Sequence, residues 1–335
     1  MKPLNKVITN KDTSFNPIWI MRQAGRYLPE FREIRKENPN FISLCLNENL
    51  SSEITLQPLK RFDFDAAIIF SDILMIPYAL GQKVTFQKDQ GPILSNFNEK
   101  KFFGTSEEEF INKLNPVYEA IKKTRKSLLP SKSLIGFAGA PWTLIYYMFN
   151  IKNKGSFFIK NHSDIILRVI EKLNVLINIH LRKQKEAGAD IVQIFDSWAG
   201  LLKNEELNKY CILPNKKIIS YCKRNNIPNI CFPKGLKDKY KEFVEQVLPD
   251  GISIDHDIKP EWALDNLKET CIQGGMDPRI LIEQEEKKVL HTVDKYLEVF
   301  HNCPYIFNLG HGILPETDPE LIKKITEKVK KNNDG

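Results

Sequence analysis

The sequence predicts an α/β fold, a single (β/α)8 barrel of the TIM type, and three observations predict it. Short apolar runs recur eight times, at 17–21, 66–70, 133–138, 190–195, 228–232, 251–255, 270–275 and 304–309. Between them lie stretches with apolar residues every three or four positions, clearest at 161–187, 204–224, 278–300 and 317–332. No linker or break in composition divides the 335 residues, so 1–335 reads as one domain. Strands alternating with helices pair in parallel, and their continuous apolar runs suit burial on both faces.

In chain order, Met1 to Asn16 is short and polar, without the apolar core of a secretory leader, and reads as a cytoplasmic start. The first run ends abruptly in Arg22-Gln23-Ala24-Gly25-Arg26, with Pro29 just beyond. On a helix the two arginines would share a face and repel. Gly25 and Pro29 also oppose a long helix, so a strand end opening into a loop is expected. Such a loop offers two guanidinium forks to carboxylates or phosphates. The alternative is a pair answered by the segment's own Glu30 and Glu33. The second run ends in Ser71-Asp72, the third in Gly139-Ala140-Pro141-Trp142 and the fourth in Asp196-Ser197-Trp198. The last four end in Pro233-Lys234-Gly235, Asp255-His256-Asp257, Met276-Asp277-Pro278 and Gly310-His311-Gly312. Polar residues gathered at the C-terminal ends of strands are where a barrel keeps its active site. The region 81–105, with Gly81, Gly91-Pro92 and Gly104, reads as an inserted hairpin over one mouth.

Bulk properties exclude several classes. No apolar run reaches the eighteen or so residues of a membrane span. The net charge of +7 is scattered, and lysines cluster only at Lys323-Lys324 and around Lys328 to Lys331, so nucleic-acid binding is not expected. The six cysteines show no paired spacing and read as free thiols. His301 and Cys303 look like half of a metal site, but they precede their strand and no further cysteine follows. Even a catalytic zinc takes three protein ligands, so no metal is expected.

Each candidate also has a plainer reading. Asp72 could cap a helix beginning near Ile73, and Ser197 could do the same. Tyr147 could be core, and His311 a turn residue, although its flanking glycines suit a backbone held close to a ligand.

Pro17 to Arg26 resembles the N-terminal signature of the uroporphyrinogen decarboxylases, and Gly136 to Leu144 resembles their second signature. The resemblance runs from about Pro3 to the C-terminal helix. It implies removal of carbon dioxide from the four acetate side chains of a porphyrinogen, with no cofactor, by a homodimer. It also implies a substrate-binding set of Arg22, Gln23, Ala24, Gly25, Arg26, Asp72, Tyr147, Ser197 and His311. In it Asp72 receives the pyrrole N–H groups, Arg22 is tied to proton transfer, and Ser197 donates to a carboxylate. Arg35 is a further carboxylate candidate. Zinc-dependent methyltransferases are relatives of this family, and the missing cysteine argues against that activity.

Overall fold

The structure is a computed structural model that describes residues 1–87, 91–153 and 159–333. The apolar runs form parallel strands: β1 Ala66–Ile68, β4 Ser133–Gly139, β5 Ile191–Asp196, β6 Asn229–Pro233, β7 Gly251–Ile254, β8 Cys271–Gly274 and β9 Tyr305–Ile306. They make one curled sheet in that order. In β6, β7 and β8 every residue is buried, because helices cover the outside and side chains fill the inside.

Helix Ser163–Glu186 shows how the outer layer forms. Ile166, Val169, Ile170, Leu173 and Ile177 repeat at helical spacing and are buried. Helix Glu107–Ser127 starts at Ser106, whose hydroxyl accepts from the Glu109 N–H at 3.1 Å, with three glutamates in its first turn. Inside the curl, Leu4, Val7 and Ile8 of helix Pro3–Asn10 pack with Trp19, Ile68, Ile135, Ile191, Ile230 and Ile306. That helix is tethered to residues at the starts of strands: Lys2 pairs with Asp190 at 2.7 Å, and the Ser133 hydroxyl donates to Asn5 at 3.3 Å. The N-terminal end of the sheet is therefore plugged by this helix.

Several expectations are corrected. The strand expected at 17–21 reduces to a single parallel bridge, Ile18 to Phe307, so the regular sheet has seven strands and not a closed eight. Scattered backbone bonds and side chains replace the missing ladder. The Ile18 N–H donates to Asp65 Oδ2 at 2.9 Å, and the Asp65 N–H donates to Ile18 O at 2.8 Å. Gln23 Nε2 donates to Ala66 O at 3.0 Å while its Oε1 accepts from the Ile20 N–H at 3.1 Å. The C-terminal helix Pro319–Asn333 clamps this seam, with Lys330 on Asp65 and the Asn333 amide on the backbone of Asn16.

The helix expected over 204–224 contains a π-turn, Asn208–Ile212, just ahead of Leu213–Arg224. Pro214 has no N–H to give and disrupts the regular ladder there. The one expected over 278–300 divides into Ile280–Glu283 and Glu286–Val299. The insertion does hold an antiparallel hairpin, β2 Val84–Gln87 with β3 Gly91–Leu94, followed by helix Glu99–Gly104. Its tip, 88–90, lies outside the described residues. The hairpin rests on its neighbours through Phe86 against Phe41, ring centres 4.6 Å apart, and Gln82 Nε2 donating to Met148 O at 3.0 Å.

Candidate active site

Arg22 sits in a tight turn closed by the Gln23 N–H donating to Ile20 O at 2.9 Å. Its φ of 64° belongs to the left-handed region, which glycine and asparagine favour. An arginine held there costs roughly 1–3 kcal/mol, a strain that accumulates at functional sites. The surroundings over-determine it: the Met21 N–H donates to Asn308 Oδ1 at 2.8 Å, and the Ile313 N–H donates to Met21 O at 2.9 Å. Two glycines make room. A Cβ on Gly25 would lie 2.8 Å from Arg22 O, and one on Gly312 would lie 2.2 Å from Arg22 Cδ. Arg22 is exposed to solvent at its surface; the protein atoms around it lower its pKa, while Asp72 and Tyr147 pull it up.

No helix joins Arg22 to Arg26; the chain stays a loop until Pro29 opens helix Pro29–Glu37. Glu30 does not answer these arginines, because it is paired with Arg61 at 3.1 Å. Arg26 is exposed, and its charge lies close enough to act on Arg22. Ala24 and Gly25 are half-buried in the same loop. Gln23 is fully buried and spends its side chain on the seam, so it positions the loop from behind. Arg35 turns back to the carbonyl of Asn38 and lies over the Phe41 ring at 5.5 Å.

Asp72 lies just beyond β1, half-buried. Its Oδ1 accepts from the Leu74 N–H at 2.8 Å, an Asx turn that leads into helix Met75–Ala79. The capping and binding readings thus use different atoms, since among the described residues Oδ2 has no hydrogen-bond donor. Burial pushes the carboxyl up to about 6, while the Leu74 bond and the charge of Arg22 pull it down. Asp72 and Arg22 act on each other through space without a direct ion pair.

Tyr147 comes from helix Pro141–Met148, which starts on a proline at its first turn. Its hydroxyl feels both Asp72 and Arg22, and burial keeps it protonated. Tyr146 differs: it stacks on Trp198 at 4.3 Å. Ser197 caps no helix, because the short turn Ala199–Leu201 begins after Trp198. The neighbouring Asp196 is buried and used up by Thr143 at 2.7 Å and Asn215 at 3.1 Å. His311 is half-buried; burial first, then Arg22, Lys234 and His256, push its pKa down to about 4. Arg22, Asp72, Tyr147 and His311 therefore form one electrostatically coupled group, with Ser197 on a neighbouring strand end.

Sequence reasoning assigned no role to Lys234 or His256, which act on His311 from the ends of β6 and β7. It also passed over the floor. Phe137 and Phe195 follow Ile135 and Ile191 at strand spacing on the inner face, half-buried, with ring centres 5.6 Å apart. The signal was the alternation within those two strands. Among the described residues no three His, Cys, Asp or Glu side chains converge as a metal site, and Cys303 is buried at the start of β9.

Comparison with known proteins decides the family: the sequence model described as Uroporphyrinogen decarboxylase (URO-D) matches residues 1–332. The chain belongs to the uroporphyrinogen decarboxylase family. It is 45% identical to the uroporphyrinogen decarboxylase of Rickettsia bellii, over 93% of this chain and 94% of that protein. With the uroporphyrinogen decarboxylase of Rickettsia felis it shares 42%, over 94% and 92%. A methyltransferase from Methanosarcina mazei has the same fold, with a TM-score of 0.83 over 99% of both chains at 16% identity. For a member of the uroporphyrinogen decarboxylase family, that likeness speaks to architecture alone.

Proposed function

We propose that this chain decarboxylates the four acetate side chains of uroporphyrinogen III to methyls, giving coproporphyrinogen III in haem biosynthesis. The observation that carries the reading is Asp72, a carboxylate with one free oxygen, set within reach of the charge of Arg22 at the open end of the sheet. Family membership across nearly the whole chain supports the substrate.

The substrate bears eight carboxylates around four pyrroles. Arg22, Arg26, Tyr147, Ser197 and His311 are the donors for its rim, each charged hydrogen bond contributing roughly 1.5–3 kcal/mol. Phe137 and Phe195 provide an apolar floor for the macrocycle. The unoccupied Oδ2 of Asp72 accepts the pyrrole N–H groups.

Chemistry then follows from the substrate itself. A proton added to a pyrrole carbon makes the ring cationic. The electron pair of the breaking C–CO2 bond flows into that cation, leaving an exocyclic methylene. A second proton on the methylene carbon gives the methyl, and the first proton leaves. Each acetate thus takes up one proton net, and no cofactor is invoked. Asp72 stabilises the cation as it forms. Arg22 binds a carboxylate at the reacting edge and orients the water through which a proton is relayed, the guanidinium itself staying protonated.

The same reading takes the segment 17–21 as the eighth stave of one closed barrel domain, working as a cytoplasmic homodimer without nucleic-acid partners. Anaerobic incubation with uroporphyrinogen III and chromatography of the products tests the activity. Coproporphyrinogen is expected, and an octacarboxylate recovered intact would overturn it.

A further inference from the structure

Around the open end, Arg22 and Arg26 follow the segment 17–20, and His311 follows the neighbouring β9. The far side of the ring of strand ends is β6. Between it and that segment lie three strands by way of β1 and three by way of β9. The residue that follows β6 is Lys234.

Its backbone is fixed by three neighbours. The Lys234 N–H donates to Asp196 O at 3.1 Å, and its carbonyl accepts from the Gly200 N–H at 2.9 Å. Gly235, at φ 82°, donates its N–H to Asp255 Oδ2 at 2.6 Å. Gly200 presses on this turn so closely that a Cβ there would lie 2.5 Å from Gly235 O. Lys234 is thus set between the turn that carries Ser197 and the start of the loop after β7.

Among the described residues no carboxylate pairs with its ammonium. Asp196 is committed to Thr143 and Asn215. Asp255 is committed to the N–H groups of Gly235 and Asp257 and to the hydroxyl of Tyr240. Lys234 is half-buried, and its charge falls instead on His311, as do those of Arg22 and His256. A half-buried cation without an ion-pair partner is unfavourable in the empty protein and is relieved by a bound anion.

We propose that Lys234 is a substrate-binding residue, taking a side-chain carboxylate of the porphyrinogen on the side of the macrocycle away from Arg22 and Arg26. The inference rests on the substrate class proposed above. A macrocycle with carboxylates on every edge needs charge on both sides of the mouth, and Arg22 and Arg26 supply one side only.

The test compares K234M and K234R with wild type in two assays. One is binding of uroporphyrin I, an oxidised octacarboxylate, followed by fluorescence; the other is kcat and KM for uroporphyrinogen III. K234M should weaken binding and raise KM about tenfold, the effect of one charged hydrogen bond, with a smaller change in kcat. The difference should shrink at high salt, and K234R should recover most of it. Affinity and KM for K234M within twofold of wild type would overturn the proposal. If K234M does not fold, K234Q replaces it; if neither folds while K234R does, Lys234 is structural and the proposal falls. A wild type that binds uroporphyrin I but decarboxylates nothing overturns the activity alone, and the K234M binding ratio still decides this inference.

Discussion

At the residue scale, Asp72 combines an ordinary task with an unusual environment. One oxygen holds a turn, while burial raises the pKa of the whole carboxyl to about 6. The ionised form is therefore disfavoured by folding, and this penalty is fully present above about pH 6 and vanishes below the unfolded value near 3.8. Asp72→Asn keeps the acceptor for Leu74 and removes the penalty. Thermal unfolding should show the variant at least as stable as wild type at pH 7.5, with any advantage gone by pH 3.5. In wild type, turnover should fall as pH drops through about 6, when Asp72 takes up its proton. Arg22→Ala and Arg26→Ala should each weaken uroporphyrin binding about tenfold or more and flatten its salt dependence. Unchanged affinity in both would place the anion clamp elsewhere. The placement of these residues was legible, because Asp72, Ser197 and His311 each come two residues after the end of an apolar run. Lys234 held the same kind of position but was hidden by the abundance of lysine along the chain. The left-handed turn at Arg22 could not be read, since that conformation ordinarily announces itself with glycine or asparagine.

At the element scale, the seam between β9 and β1 determines where the arginines point. It is held by scattered backbone bonds together with side chains, Gln23 among them, and not by a regular ladder. That is why a strand was expected at 17–21: the apolar residues are those of a buried strand, but their hydrogen-bond partners are distant in sequence and unreadable from it. Gln23→Ala would strand the Ile20 N–H and the Ala66 carbonyl, at a cost of about 1–3 kcal/mol. A lower thermal midpoint and a raised KM together are expected, and a variant matching wild type in both would show that the seam does not carry the loop. Gly312→Ala separates placement from stability. Its Cβ would meet the flexible Arg22 side chain, so binding should suffer more than the thermal midpoint. Gly310→Ala differs, because its Cβ would lie 2.4 Å from the rigid backbone nitrogen of His256, and loss of folded protein is expected.

At the scale of the whole molecule, one end of the curled sheet is plugged by helix Pro3–Asn10 and the other carries cationic and hydroxyl groups around Asp72. The alternation of strands and helices made the architecture legible, and the polar strand ends made the working face legible. The inner packing was overlooked, although Gln193, Ser253 and Gln273 mark the inner face, because apolar residues on both faces of each strand blur the period of two. The central claim is that the negative charge of Asp72 makes a cationic pyrrole accessible on a bound polycarboxylate. Single-turnover decarboxylation of uroporphyrinogen III by folded Asp72→Asn, measured at pH 7.5 beside wild type, tests it most directly. The rate should drop at least about a hundredfold; a variant that releases carbon dioxide at close to the wild-type rate would contradict the account.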